Sequence, residues 1–312
     1  MLASMLNSHP MVEMAPETWW LGIANELKLN RVESHFLRDA FLLCVRRNFL
    51  NQQNLNWVKY VDWYRENVFE EVKTYDDMYR DFIKGAKVYF GVTVIGEKTP
   101  AHTTFMPEIL RKFPEIKKIL LTRDPRDIVV SYIKAWGEGG NLRLDDILIT
   151  LKVYLINLSI LDASNDAHLI SYERLTSDPR SQMKKLLCSL NLPFSDSVLQ
   201  LKATTKAVGI HRNLSKGVFD NSNNFIKNLS EDDVLLTELV LKEEMEAFNY
   251  ELFFEGKKRP DLLKKAEWLR DQAYSKIEKA RQLKDSGNWN PGVKSMIRAA
   301  RIHLSTFKHR HF

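Results

Sequence analysis

The residues best able to do chemistry lie in one segment, Gly96 to Trp136, GEKTPAHTTFMPEILRKFPEIKKILLTRDPRDIVVSYIKAW. In its second half a β-rich run ends at Arg123. Asp124, Pro125 and Asp127 then read as the cap, first and third residues of a new helix. Arg123 is thereby left at the carboxyl end of a strand, beside helix N–H groups that have no partner within the helix. Ser131 follows about two turns along, on the Asp124/Asp127 face. A planar guanidinium, helix-end amides and a hydroxyl together suit a phosphate monoester. The same residues also allow a plainer arrangement, in which Arg123 only pairs with Asp124 or Asp127.

In the first half Lys98 comes just after a strand and is followed by Thr99, Pro100 and His102. A lysine there is a mobile point charge for a phosphosulfate bridge or a leaving phosphate. His102 reads as a general base or as local packing. Gly91–Thr99 (GVTVIGEKT) nearly matches the nucleotide-binding loop GxxxxGK[ST], but Glu97 intrudes before the lysine and Val92–Ile95 reads better as a strand. Upstream, Glu17 is flanked by Trp19 and Trp20, a setting that disfavours its charge and raises its basicity. Its alternative is a helix-start glutamate beside Thr18.

Positioning such residues takes strands that end where helices begin. Val88–Ile95, Ile116–Thr122 and Ala167–Tyr172 are β-branched or aromatic runs, and each precedes a helical pattern, as at Met106–Phe113, Ile128–Trp136 and Met183–Leu190. This alternation predicts an α/β fold with a mostly parallel sheet flanked by helices, and ligands beyond the carboxyl ends of the strands. Asn25 to Asp81 is helical and rich in aromatics, including Phe36, Phe41, Phe49, Trp57, Trp63, Tyr64, Tyr75 and Tyr79. Either these helices pack on the body, or an insert at about 25–85 walls an acceptor cleft. Residues 1–255 form the expected body. Residues 256–312 form a basic helical tail, read as a hairpin broken at Ser286–Gly292.

KTP followed by FPEIKKILLTRDPRDIVVSY resembles the 3′-phosphate-binding region of sulfotransferases that use 3′-phosphoadenosine 5′-phosphosulfate (PAPS). In that family an Arg and a Ser eight residues later hold the 3′-phosphate, the separation of Arg123 and Ser131. Ser171–Pro179 (SYERLTSDP) resembles the YEDL…DP segment, whose tyrosine approaches the adenine; here it is Tyr172. Arg212–Ser230 ends in NFIKNLS, similar to a Trp-Lys-containing loop, with Lys227 as the matching cation and Phe225 where Trp is usual. Phe248–Leu252 (FNYEL) resembles the closing GYEL. The resemblance runs from about Leu2 to Leu252 and is closest to the tyrosylprotein and carbohydrate-type branch, through Leu6–Thr18 (LNSHPMVEMAPET).

What the resemblance implies is a P-loop-like three-layer fold and metal-free transfer of a sulfuryl group from PAPS to a hydroxyl on a sugar, glycan or peptide tyrosine. Glu17 aligns with the branch's general base. His102 ranks behind it, because the cytosolic small-molecule branch keeps a His two residues after its Lys and here the gap is four. In the family a strand and a PRSGTT-like 5′-phosphosulfate loop come before this point, and neither precedes Leu2. They are expected upstream of Met1, in a reading frame started too late. The alternative is an inactive fragment or pseudoenzyme with the same fold.

Composition sets the outer limits. With 44% hydrophobic and 28% charged residues over 312 positions, the chain can build one large domain or two modest ones. Two cysteines, Cys44 and Cys188, exclude a disulfide framework or a Cys-rich metal site. No signal peptide is visible in Met1–Gly22, and the longest apolar run, Ile147–Leu161, is interrupted by Lys152, so a cytoplasmic location is the default expectation. The net charge of +6 is concentrated from Lys257 onward, where fifteen Lys/Arg face five Asp/Glu. That tail reads as a solvated face, or as a binding module for an anionic polysaccharide, a membrane surface or nucleic acid, with nucleic acid not expected. Sequence leaves the oligomeric state open.

Overall fold

A computed structural model describes residues 1–21, 23, 35–67, 74–136, 143–162, 167–200, 221–257 and 259–285. They divide into two compact units, the first made of Met1–Phe105 with 195–200 and 282–285, the second of Met106–Phe194 with 221–281. Residues 201–220 and the Ser286–Gly292 break of the tail lie outside the described residues, as does 24–34.

The first unit runs α1 (Leu2–Asn7), β1 (Val12–Ala15), α2 (His35–Asn51), α3 (Leu55–Glu66), α4 (Tyr75–Phe90) and β2 (Val94–Glu97), then a 3₁₀ turn over Pro100–Phe105. The strands pair in parallel, from Val12↔Val94 to Ala15↔Glu97. Asn54 caps α3 by accepting the Trp57 N–H, and Thr74 caps α4 by accepting the Asp77 N–H. Tyr75, Met78, Phe82 and Ala86 make the buried stripe of α4. Phe41, Phe49, Trp57, Tyr60, Tyr64 and Phe82 are buried among these helices, with the Tyr60 hydroxyl on the Phe82 carbonyl and the Tyr64 hydroxyl 2.6 Å from Asp81 Oδ2.

Sequence placed a strand at Val88–Ile95, and the structure moves it. Val88, Tyr89 and Phe90 are the last turn of α4, which stops at Gly91 with φ 66°, the left-handed conformation that glycine adopts freely. The strand therefore starts only at Val94. Its partner β1, VEMA, was not foreseen as a strand.

The second unit runs α5 (Met106–Lys112), β3 (Lys118–Thr122), α6 (Pro125–Trp136), α7 (Leu144–Asp162), β4 (Ala167–Ser171), α8 (Tyr172–Ser177), α9 (Pro179–Ser189), α10 (Phe225–Asn228), α11 (Glu231–Ala247) and α12 (Pro260–Asp285). Here too the pairing is parallel, from Lys118↔Ala167 to Thr122↔Ser171. The apolar run of α7 buries Ile147, Leu148, Leu151 and Leu155. Lys152 is fully buried in that run because its Nζ reaches Glu243 at 3.1 Å and Glu244 at 2.8 Å on α11. Ala266, Leu269 and Ala273 form the buried stripe of α12, which is further tied to α7 by Lys265 and Asp145 at 2.7 Å. Among the described residues the strand pairs form two two-stranded sheets, and no helix is long and apolar enough to cross a membrane.

Candidate active site

The register of the first strand pair explains what happens beyond it. Because Ala15 lies opposite Glu97, the chain leaves β1 through Pro16, Glu17 and Thr18 alongside Lys98 and Thr99 leaving β2. Lys98 Nζ donates to Glu17 Oε1 at 2.6 Å, with the Lys98 side chain 57% exposed and that of Glu17 28%. The backbone of Glu17 is fixed by side chains at the end of α2. Its N–H donates to Gln52 Oε1 at 2.9 Å, and its carbonyl accepts from Gln52 Nε2 at 2.9 Å and from Asn48 Nδ2. Sequence placed Glu17 in a tryptophan setting. In the structure the ammonium of Lys98 is its immediate neighbour, while Trp20 is buried against Tyr79 with ring centroids 4.0 Å apart. Trp19 adopts φ 55°, a strained conformation for a bulky residue beside a site.

Glu97 stands behind this pair. Its carboxylate accepts from the Thr18 hydroxyl, the Thr18 N–H at 3.2 Å, the Thr99 hydroxyl at 2.7 Å and the Tyr79 hydroxyl at 2.5 Å. His102 joins the group through Nδ1, 3.7 Å from Glu97 Oε1, while its Nε2 is buried without a hydrogen-bond partner. Its ring stands edge-on to Trp20.

In the second unit, Arg123 follows β3 as expected. Its guanidinium lies 4.4 Å over the ring of Tyr172, and Nη2 donates to the Asn221 carbonyl at 3.1 Å. The plainer pairing is not what its neighbours adopt. Asp124 caps α6 by accepting the Arg126 N–H at 2.9 Å and then takes the Arg126 guanidinium in a two-point grip at 3.0 and 2.7 Å. Asp127 accepts the Phe225 N–H at 2.9 Å. Burial pushes the Asp127 carboxyl above its ordinary value, against the Phe225 amide and the Arg123 charge, which pull it down. Arg123 Nε is buried without a partner. Ser131 is exposed on α6 and Lys227 is exposed on α10; among the described residues no hydrogen bond joins either to Arg123.

A sequence profile of the sulfotransferase family matches residues 1–196, more than half of the chain. This chain belongs to the sulfotransferase family. The sulfotransferase domain of the Synechococcus PCC 7002 olefin synthase shares its fold, with a TM-score of 0.51 at 17% identity, over 80% of this chain and 90% of that one. A sulfotransferase domain from the curacin biosynthetic pathway gives a TM-score of 0.48 at 17% identity over 80% and 93%, and a sulfotransferase from Mycobacterium avium gives 0.44 at 12% over 80% and 74%. No curated protein matches. The expected class is thus found: a P-loop-like α/β fold, rich in helices, with short parallel sheets.

Several residues that shape this sulfotransferase's site escaped the sequence reading. Glu97 was set aside as the residue spoiling a loop match, although a carboxylate at a strand end with threonines at 18 and 99 was a usable signal. Asn48 and Gln52, which hold Glu17, carried none. Among the described residues no group of three or more His, Cys, Asp or Glu is arranged to hold a metal ion.

Proposed function

We propose that the chain transfers the sulfuryl group of PAPS in line to a hydroxyl acceptor, a sugar, glycan or peptide tyrosine, without a metal. The observation that carries the reading is the contact of Glu17 with Lys98 beyond the carboxyl ends of two parallel strands, where such folds bind ligands. A carboxylate and an ammonium side by side are the base and the cation this reaction requires. Glu17 removes the acceptor proton as the acceptor oxygen bonds to sulfur. The bond from sulfur to the bridging oxygen breaks, its electron pair leaves with the 5′-phosphate, and Lys98 offsets the charge growing there. Lys98 occupies Glu17 Oε1, so the donor, by drawing Lys98 away, frees that oxygen for the acceptor hydroxyl. His102 is the second candidate base.

Arg123 and Ser131 bind the 3′-phosphate, Tyr172 meets the adenine, and Lys227 adds positive charge near the sulfuryl oxygens. Support for the donor comes from Arg123, whose buried Nε lacks an acceptor that a phosphate would supply. A cytoplasmic location is part of the same reading.

The test uses ³⁵S-labelled PAPS with a panel of hydroxyl acceptors, and calorimetry with adenosine 3′,5′-bisphosphate. Glu17→Gln is expected to lower kcat by about two to four orders of magnitude and leave bisphosphate affinity intact. Arg123→Ala is expected to weaken that affinity about ten- to a hundredfold. Bisphosphate binding without transfer to any acceptor would point to an inactive member of the family. Neither binding nor transfer would overturn the reading.

A further inference from the structure

Glu97, the last residue of β2, has a side chain only 11% exposed and is absent from the mechanism above. One of its oxygens accepts from the hydroxyls of Thr18 and Thr99, residues that are 1% and 6% exposed. Thr18 is the residue after Glu17, and Thr99 is the residue after Lys98. One half-buried carboxylate therefore ties down the immediate neighbours of both members of the pair. Its other oxygen takes the Tyr79 hydroxyl, and Tyr79 in turn stacks on Trp20, two residues beyond Thr18.

All four donors are neutral: three hydroxyls and one amide. A charged donor here would compete with Lys98 for the same role. Neutral donors hold Thr18 by its amide and hydroxyl and Thr99 by its hydroxyl, leaving Glu17 and Lys98 to pair with each other. Gly96, just before, gives the strand its room: a Cβ there would sit 2.3 Å from the Met14 sulfur on β1. The β1–β2 pair is thus closely packed up to its last residue, and Glu97 extends that order into the two turns that follow.

We infer that Glu97 is a positioning residue of the sulfotransferase, setting the distance and direction between Glu17 and Lys98 by holding the next residue of each. This inference rests on the proposed roles of those two side chains. Misplacing a catalytic group by about 1 Å costs on the order of a hundredfold in rate.

The experiment compares Glu97→Ala, Glu97→Gln, Thr18→Val and Thr99→Val in the full chain. Glutamine keeps an oxygen for the threonine donors, and its amide can face Tyr79, whose hydroxyl turns to accept. Expected for Glu97→Ala is a fall in kcat of about ten- to a hundredfold with bisphosphate affinity within about twofold of the parent, and for Glu97→Gln a recovery to within about threefold. Each Thr→Val change should cost a few-fold, and the two together less than the product of the separate losses, because they act through one carboxylate. A readout that needs no turnover is the acetylation rate of Lys98 by an amine-reactive ester, followed by peptide mass spectrometry. Glu97→Ala should speed it as far as Glu17→Gln does, and Glu97→Gln should not. Unchanged kcat and unchanged Lys98 reactivity in Glu97→Ala, or a glutamine variant as impaired as the alanine one, would overturn the inference. Near-full activity of Glu17→Gln would instead overturn the underlying mechanism, with the Lys98 reactivity still deciding the role of Glu97.

Discussion

Beyond the β1–β2 pair a half-buried carboxylate, Glu97, accepts from hydroxyl and amide donors. Beyond the β3–β4 pair two buried carboxylates, Asp124 and Glu238, close on a guanidinium. Arg126 is 3% exposed, grips Asp124, reaches Glu238 Oε1 at 2.6 Å, and lies against the rings of Phe225 and Phe253, 4.2 and 4.7 Å from their centroids. Glu238 also accepts the N–H groups of Phe253 and Phe254. In both places one residue is locked inside and a sequence neighbour carries the role we propose: Lys98 after Glu97, Arg123 before Asp124. The difference lies in where the charges are. The first unit keeps its opposite charges at the surface, where Glu17 and Lys98 can change partners. The second seals them in, where none of the three can turn toward a ligand, and leaves Arg123 outside that lock, over the Tyr172 ring.

That contrast is broken most severely by Arg126→Met. The change strands Asp124 and Glu238 as buried, unpaired carboxylates, and removing one partner of a buried ion pair costs about 3–5 kcal/mol. The expected outcome is a fall of that size in unfolding free energy by urea titration, with part of it recovered when Glu238→Gln is added. Glu97→Gln, whose partners are neutral, should lose far less in the same titration, even though it sits at the equivalent end of a strand pair.

These two networks also mark how far sequence reasoning reaches. The Asp124 cap and the Pro125 start were legible because capping is settled within three residues. Arg123 and Tyr172 were singled out separately, and the structure brings them into contact because parallel pairing sets Thr122 beside Ser171, the residue before each. The Lys98–Glu17 contact follows in the same way from Ala15 opposite Glu97, but β1 had to be known first, and four residues alternating Val, Glu, Met, Ala gave too weak a strand signal. Val88–Phe90 misled because β-branched and aromatic residues also finish an amphipathic helix; the stop was Gly91. Arg126 and Glu238 are joined across the chain with no local pattern to announce it.

A milder change tests the Arg123 cation. Tyr172→Leu removes the ring beneath Arg123 while keeping an apolar side chain at the start of α8. Cation–π contacts at partly exposed sites are worth about 0.5–1 kcal/mol, so stability should move by no more than that. Adenosine 3′,5′-bisphosphate affinity, measured by calorimetry, should fall several-fold, because Arg123 loses its platform and the adenine its neighbour. A loss of stability with bisphosphate affinity unchanged would mean that the ring serves the fold alone.

The smallest effect separates the two units by pH. Burial lowers the pKa of His168 on β4 below the ordinary imidazole value of 6.5 and raises that of Glu13 on β1 above the ordinary carboxylate value of 4.5, the Trp57 N–H opposing the latter. For His168 the unfolded chain holds the proton at pH values where the folded chain has released it, so its contribution is complete above 6.5 and is lost as pH falls through the folded value. For Glu13 the folded chain holds the proton longer, so its contribution is complete below 4.5 and is lost as pH rises through the folded value. The slopes oppose each other between these limits. His168→Gln removes the rising one, so the unfolding midpoint of the variant, relative to the parent, should improve as pH is lowered from 7 to 5. A difference that stays flat across that range would mean that the His168 imidazole is protonated in the folded unit as readily as in the open chain.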